Sequence, residues 1–182
     1  MTTDVWATQY GHALPPRERL RISDLWAGVL TTAVVVLFGA PVGILWGAIS
    51  PRVEVRKVAD GVDLLMPETK AFIGGDGSFL VITVLVGVAL GVAAAVLGRR
   101  HGPGVAVGLA VGSLLAAYVA AKVGHRIGYD EYVHLRDAAA VNTRGHYFLK
   151  LRAEGVLFGW PVAACLALLS ITAARRPELS QP

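Results

Sequence analysis

The chain has 182 residues, of which 54% are apolar and only 16% charged, and its mean hydropathy is +0.56. A soluble domain carries roughly a quarter charged residues, so this composition points to an integral membrane protein. The formal net charge of +4 and the pI of about 9.5 are accounted for by arginines beside the apolar segments and give no reason to expect a nucleic-acid partner. Cys165 is the sole cysteine; it excludes an internal disulfide and reads as a small buried apolar residue.

Residues 1–22, with His12, Pro15, Pro16 and several charges, are expected to form a disordered cytoplasmic tail. The first apolar run, 25–49 within an expected span 23–50, is far longer than the roughly 7 to 15 residues of a signal-peptide core. Its only small-x-small sequence, Ala48-Ile49-Ser50, is followed by Pro51, so it reads as a retained anchor. Trp26 and Trp46 are twenty residues apart, about 30 Å along a helix, which places one at each interface. Pro41 removes a backbone hydrogen bond and predicts a kink near Ala40.

Residues 51–77 alternate in a strand-like way. Val53 to Val58, a turn at Asp60-Gly61 and Val62 to Leu65 predict a hairpin, which needs a third strand or a helix beneath it to be stable. Asp76-Gly77-Ser78 reads as a turn and cap feeding a second span, 78–98, and a tight turn at 99–103 leads to a third, 104–127. Residues 128–154 hold an amphipathic helix over 129–140 and a strand over 146–152, where Tyr147, Leu149 and Leu151 alternate with His146, Phe148, Lys150 and Arg152. A fourth span, 155–174, is expected to place Trp160 in an interfacial belt with Tyr129, and residues 175–182 form a second cytoplasmic tail. The predicted fold is an all-α four-helix transmembrane bundle with a small extracytoplasmic β/α cap built by the two long loops, the three strands forming one sheet.

Glycine or alanine recurs at every fourth position along Gly104, Gly108, Gly112, Ala116, Ala120, Gly124 and Gly128. Gly39, Gly43 and Gly47 repeat the step in the first span, and Gly87 and Gly91 in the second. Small residues let backbones approach where lipid removes the hydrophobic force between helices, so these positions are read as packing sites. A step of four drifts roughly 40° around the helix each time. The two halves of the third-span ladder are therefore expected to meet different partners, or to cross one partner at a right-handed angle.

Arginines at 17, 19, 21, 99, 100, 175 and 176 make seven basic residues on one side, against ten on the other at 52, 56, 57, 70, 122, 126, 136, 144, 150 and 152. The raw count does not favour cytoplasmic termini. The short, acid-free Arg99-Arg100-His101-Gly102-Pro103-Gly104 turn does, because the ten are spread over long loops that fold as units. Lys122, at the end of the third span, reads as a snorkelling side chain.

His125, His134 and His146 with Asp130 and Glu131 have the chemistry of metal ligands but no ligand spacing, so no metal, cofactor or catalytic residue is assigned. Asp63, Glu68 and Asp76 read as structural. Phosphate-cradling loops, nucleophile elbows and His-Glu-x-x-His are absent from the sequence.

The strings Gly39-Ala40-Pro41-Val42-Gly43-Ile44-Leu45-Trp46, Pro51-Arg52-Val53-Glu54, Ala59-Asp60-Gly61 and Ala71-Phe72-Ile73-Gly74-Gly75-Asp76-Gly77-Ser78-Phe79 resemble a domain-of-unknown-function family of small actinobacterial membrane proteins. So do the turn at 99–104 and Val123-Gly124-His125-Arg126-Ile127-Gly128, the similarity running over 26–172. Thirteen arginines against four lysines agree with a GC-rich genome. The resemblance implies four spans and an outward loop, but no activity. The expectation is a non-enzymatic accessory or structural component of a cell-envelope complex in the cell membrane, its partners being membrane lipid and another membrane protein or a second copy. A small transporter or channel is the alternative, kept open by the Gly39-Ala40-Pro41 break although the span interiors lack Asp, Glu, Arg and His; an enzyme acting on lipid or wall precursors ranks third.

Overall fold

The computed structural model describes residues 22–65, 69–98 and 102–175. The expected N-terminal tail, Glu68, Arg99-Arg100-His101 and the C-terminal tail beyond Arg175 lie outside them. The elements are α1 (Ile22–Leu37), α2 (Gly39–Ile49), β1 (Glu54–Val58), β2 (Gly61–Leu64), α3 (Thr69–Leu97), α4 (Gly102–Arg126), α5 (Tyr129–Ala138), β3 (Arg144–His146), a 3₁₀ turn (Glu154–Phe158) and α6 (Gly159–Ala174).

Four stretches are long and apolar enough to cross a membrane: Ile22–Ile49, Ile73–Leu97, Pro103–Ala138 and Glu154–Ala174. In the third, Lys122, Arg126, Asp130 and Glu131 confine the apolar part to α4. Large apolar side chains stay exposed around the bundle, Leu30 and Leu85 both at 66%. In lipid they need no protein cover. The chain is a multi-pass membrane protein, a four-helix bundle closed at one end by a β/α cap.

The first span breaks at Phe38, between α1 and α2. Pro41 has no amide hydrogen to give the carbonyl one turn back, at Leu37, and its ring crowds that oxygen. The Phe38 amide instead reaches Val35 O at 3.1 Å, and the helix restarts with Val42 N on Phe38 O at 3.1 Å. The discontinuity thus sits slightly before the position expected from Pro41, at the carbonyl that the proline disables.

The helices pack as two pairs, α1 and α2 on α4, and α3 on α6, joined mainly through α4 and α6. The ladder on α4 meets α1 with one half and α2 with the other, so the two expected partners are segments of a single broken span. A Cβ on Gly108 would overlap the Gly28 carbonyl, and one on Gly104 the Asp24 carbonyl. At Gly112 it would sit 3.0 Å from Thr32 Cα, at Gly39 2.7 Å from Ala116 O, and at Gly43 2.5 Å from Ala120 O. Ala116 and Ala120 are fully buried. Thr32 Oγ1 adds an interhelical hydrogen bond to Gly108 O at 3.1 Å. Gly87 and Gly91 do the same work against the Trp160 and Ala164 carbonyls of α6.

Three expectations are corrected. Trp46 is fully buried rather than interfacial: its Nε1 donates to Gly75 O at 2.9 Å, its ring meets Phe79 edge-on at 5.0 Å, and it leaves no space for a side chain at Gly124. An indole is stable in an apolar interior once its N–H has an acceptor. Trp160 is also fully buried, among core residues that include Ala164 and Phe79, not in a belt. Finally, α3 begins at Thr69, so Asp76-Gly77-Ser78 lies inside the helix, not in a turn before Ser78.

Candidate functional site

The cap is assembled from both loops. Its sheet has the order β2-β1-β3, all antiparallel. Ala59 and Asp60 form the hairpin turn and Gly61 starts β2 opposite Val58. Glu54, Val55 and Arg56 pair with His146, Gly145 and Arg144. Strand β3 therefore overlaps the expected strand 146–152 only at His146, and Tyr147 N, which donates to Val53 O at 2.8 Å, extends the ladder by one more bond. Beyond that point Leu149 turns into the bundle core, where burial outweighs further strand pairing.

The helix ends hold the cap by side chains. Asp76, on α3, accepts the amides of Arg152 at 3.2 Å and Ala153 at 3.0 Å, just before the 3₁₀ turn. Ser50 and Ser78 hydroxyls lie 2.7 Å apart and bridge the end of α2 to α3. Arg52 donates to Gly47 O at 3.0 Å. His125 Nδ1 donates to Leu149 O at 2.8 Å, since a carbonyl oxygen can only accept. Lys57 donates through Nζ to Arg136 O, tying β1 to α5.

An aromatic cluster, unmarked by sequence spacing, lies between α5 and the second loop. Phe148 contacts His125 and Tyr132 at 5.0 Å and Tyr129 at 5.4 Å, all with edge-on geometry, and stacks on Tyr147 at 4.4 Å. Such pairs contribute about 0.5 to 1.5 kcal/mol each beyond area burial. Beside it, Leu135 packs over Gly145, where a Cβ would lie 2.6 Å from Leu135 Cδ2. The fully buried Val55 lies next to Gly145 in the central strand.

The polar residues separate into two places. Glu131, His134, Arg144 and His146 line one groove of about 330 Å³ between α5 and β3, whereas His125 faces the aromatic cluster. Asp130 is exposed, as is Asp63 on β2. Among the described residues no group of three or more His, Cys, Asp or Glu is placed to hold a metal ion. Lys122 is exposed with Nζ 5.4 Å from the Tyr118 ring centre, a cation–π placement at the cap end of α4. Cys165, on α6, is half-buried and unpaired.

The small-residue positions come together in two internal seams, one along α4 and one between α3 and α6. Gly47 closes on Ile127, so the three glycines of α2 all face the α4 side. Gly28 belongs to the same seam although it was not singled out from the sequence; it stands eleven residues before Gly39, about three helical turns, and so on the same face. No family model matches the chain, and no curated protein or solved structure shows significant similarity to it.

Proposed function

We propose that the chain is a non-enzymatic accessory component of a cell-envelope complex, held in the cell membrane with both termini cytoplasmic and acting by association through its extracytoplasmic cap. The observation that carries this reading is the cap itself, fixed to the helix ends by the Asp76, Ser50–Ser78 and His125 contacts. It turns Glu54, Asp63, Glu131, Arg136, Asp137, Arg144 and His146 outward. A rigid polar platform suits recognition of another protein. Because the small-residue faces close within the chain, this reading assigns the association to the cap and not to the glycine ladders.

The transporter reading gains no support from the break in the first span. Pro41 is exposed and Leu37 is 73% exposed toward the lipid side, whereas discontinuous helices in transporters line a midplane binding site. Photo-crosslinkable residues placed at Asp63 and Arg144 are expected to give a protein adduct of defined mass in intact cells. The same probe at lipid-facing Leu85 should give none. Adducts equal at all three sites, or at none, would refute association through the cap.

Orientation rests on the arginines that flank the spans in sequence at 17, 19, 21, 99, 100, 175 and 176. With Cys165 replaced by Ala, single cysteines at Asp60 and Asn142 should react with a membrane-impermeant maleimide in intact cells. Cysteines at His101 and Ser180 should react only after permeabilisation. Labelling at His101 in intact cells would invert the topology.

A further inference from the structure

At the end opposite the cap the bundle loosens. A groove of about 380 Å³ opens between α3, α4 and α6, walled by Ala94, Ala95, Gly98, Ala106, Leu168 and Leu169. Alanine and glycine on the α3 and α4 sides make the concavity. Thr172 adds no polar demand, because its hydroxyl donates within its own helix to Leu168 O and Leu169 O. From Leu168 to Arg175 the groove runs about 10 Å along the axis of α6, in the direction of a lipid tail.

Arg175 ends the groove. Its Nη1 donates to Ala95 O at 3.1 Å, which holds the guanidinium over the open end. A guanidinium has five N–H donors, and among the described residues this is the only hydrogen bond from Arg175. Apolar walls and the Arg175 guanidinium at one end match a molecule with a hydrocarbon tail and an anionic phosphate head.

We propose that this groove is a specific site for one anionic phospholipid, an acyl chain lying against Ala95, Ala106 and Leu169 and the phosphate bound by Arg175. The site is distinct from the cap and does not depend on the function assigned to it. It gives Arg175 a role in holding a lipid as well as in setting orientation.

The test uses the full-length protein in mild detergent, with intact-mass measurement and thermal unfolding after addition of phosphatidylglycerol, phosphatidylcholine or inorganic phosphate. Wild type should retain one phosphatidylglycerol, and its unfolding midpoint should rise by about 3 °C more than with phosphatidylcholine. Inorganic phosphate alone should leave the midpoint unchanged. Arg175→Gln should lower phosphatidylglycerol retention about tenfold, Arg175→Lys should keep part of it, and Arg144→Gln, in the cap, should match wild type. Ala106→Leu, which fills the groove and leaves the charge, should weaken both lipids.

Equal stabilisation by the two lipids, an unchanged Arg175→Gln protein, or a full shift with inorganic phosphate would each overturn the site. A lipid-free dimer would overturn it too, by giving the groove to a second copy. If Arg175→Gln does not fold, the Ala106→Leu and Arg175→Lys comparisons decide by the same criteria.

Discussion

Replacing Gly108 with Leu is expected to lower the unfolding midpoint in detergent by roughly 10 °C or to abolish folded yield, while Val111→Leu leaves both nearly unchanged. The Gly108 Cα faces the backbone of Gly28, where even a single Cβ would overlap the carbonyl. A flexible side chain could move aside; a peptide backbone cannot without separating α1 from α4. Overpacking costs about 1 to 3 kcal/mol where neighbours adjust and more where they do not, and a kilocalorie moves the midpoint by roughly 2 to 4 °C for a chain of this size. The separation would also break the Thr32–Gly108 hydrogen bond. Val111 is the internal comparison, being on the same helix but 48% exposed. Equal behaviour of the two variants, read by thermal unfolding and monodisperse yield, would refute close packing as the role of the seam.

The spans and the small-residue ladder were legible in the sequence because both signals are local: an apolar run either reaches across the bilayer or does not, and glycine or alanine every fourth position marks a seam that winds slowly around one helix. Gly28 escaped because counting in fours from Gly39 does not reach it, although the helical face does. The tryptophans were misplaced for a different reason. An indole suits an interface or a core: Trp160 is buried by packing alone, its Nε1 having no acceptor among the described residues, whereas for Trp46 an acceptor arrives from another part of the chain. For Trp46 that acceptor is Gly75 O, 29 residues away.

The same contact helps explain α3. Asp76-Gly77-Ser78 has the chemistry of a helix start, yet Gly75 and Ser78 are held from the other side by Trp46 and Ser50, and Asp76 caps a different segment, the residues before the 3₁₀ turn. Its capping chemistry was readable; the segment it serves was not. In the second loop the alternation at Tyr147, Leu149 and Leu151 marked apolar residues correctly but not their destination. Leu149 goes to the core, Tyr147 joins the aromatic cluster, and the strand falls on Arg144–His146.

That division of labour makes the cap a single cooperative unit, and Val55→Asp should release both loops to protease together. Val55 is fully buried in the central strand, between Leu64 of the first loop and Gly145 of the second. A carboxylate there has no partner in place, and burying a charge unpaired costs several kcal/mol, more than the sheet edge contacts supply. Because β1 carries the ladders to both β2 and β3, its loss also frees the backbone groups of Arg144–His146. Leu149→Asp should act from the other side by withdrawing the second loop from the core, where Leu149 is 6% exposed. Asp63→Ala, on an exposed position of β2, should change little. Limited proteolysis from the cap side, with cut sites mapped by mass, checks this. Cleavage confined to one loop in Val55→Asp, with the other as protected as in wild type, would mean that the loops fold independently and that the sheet does not couple them.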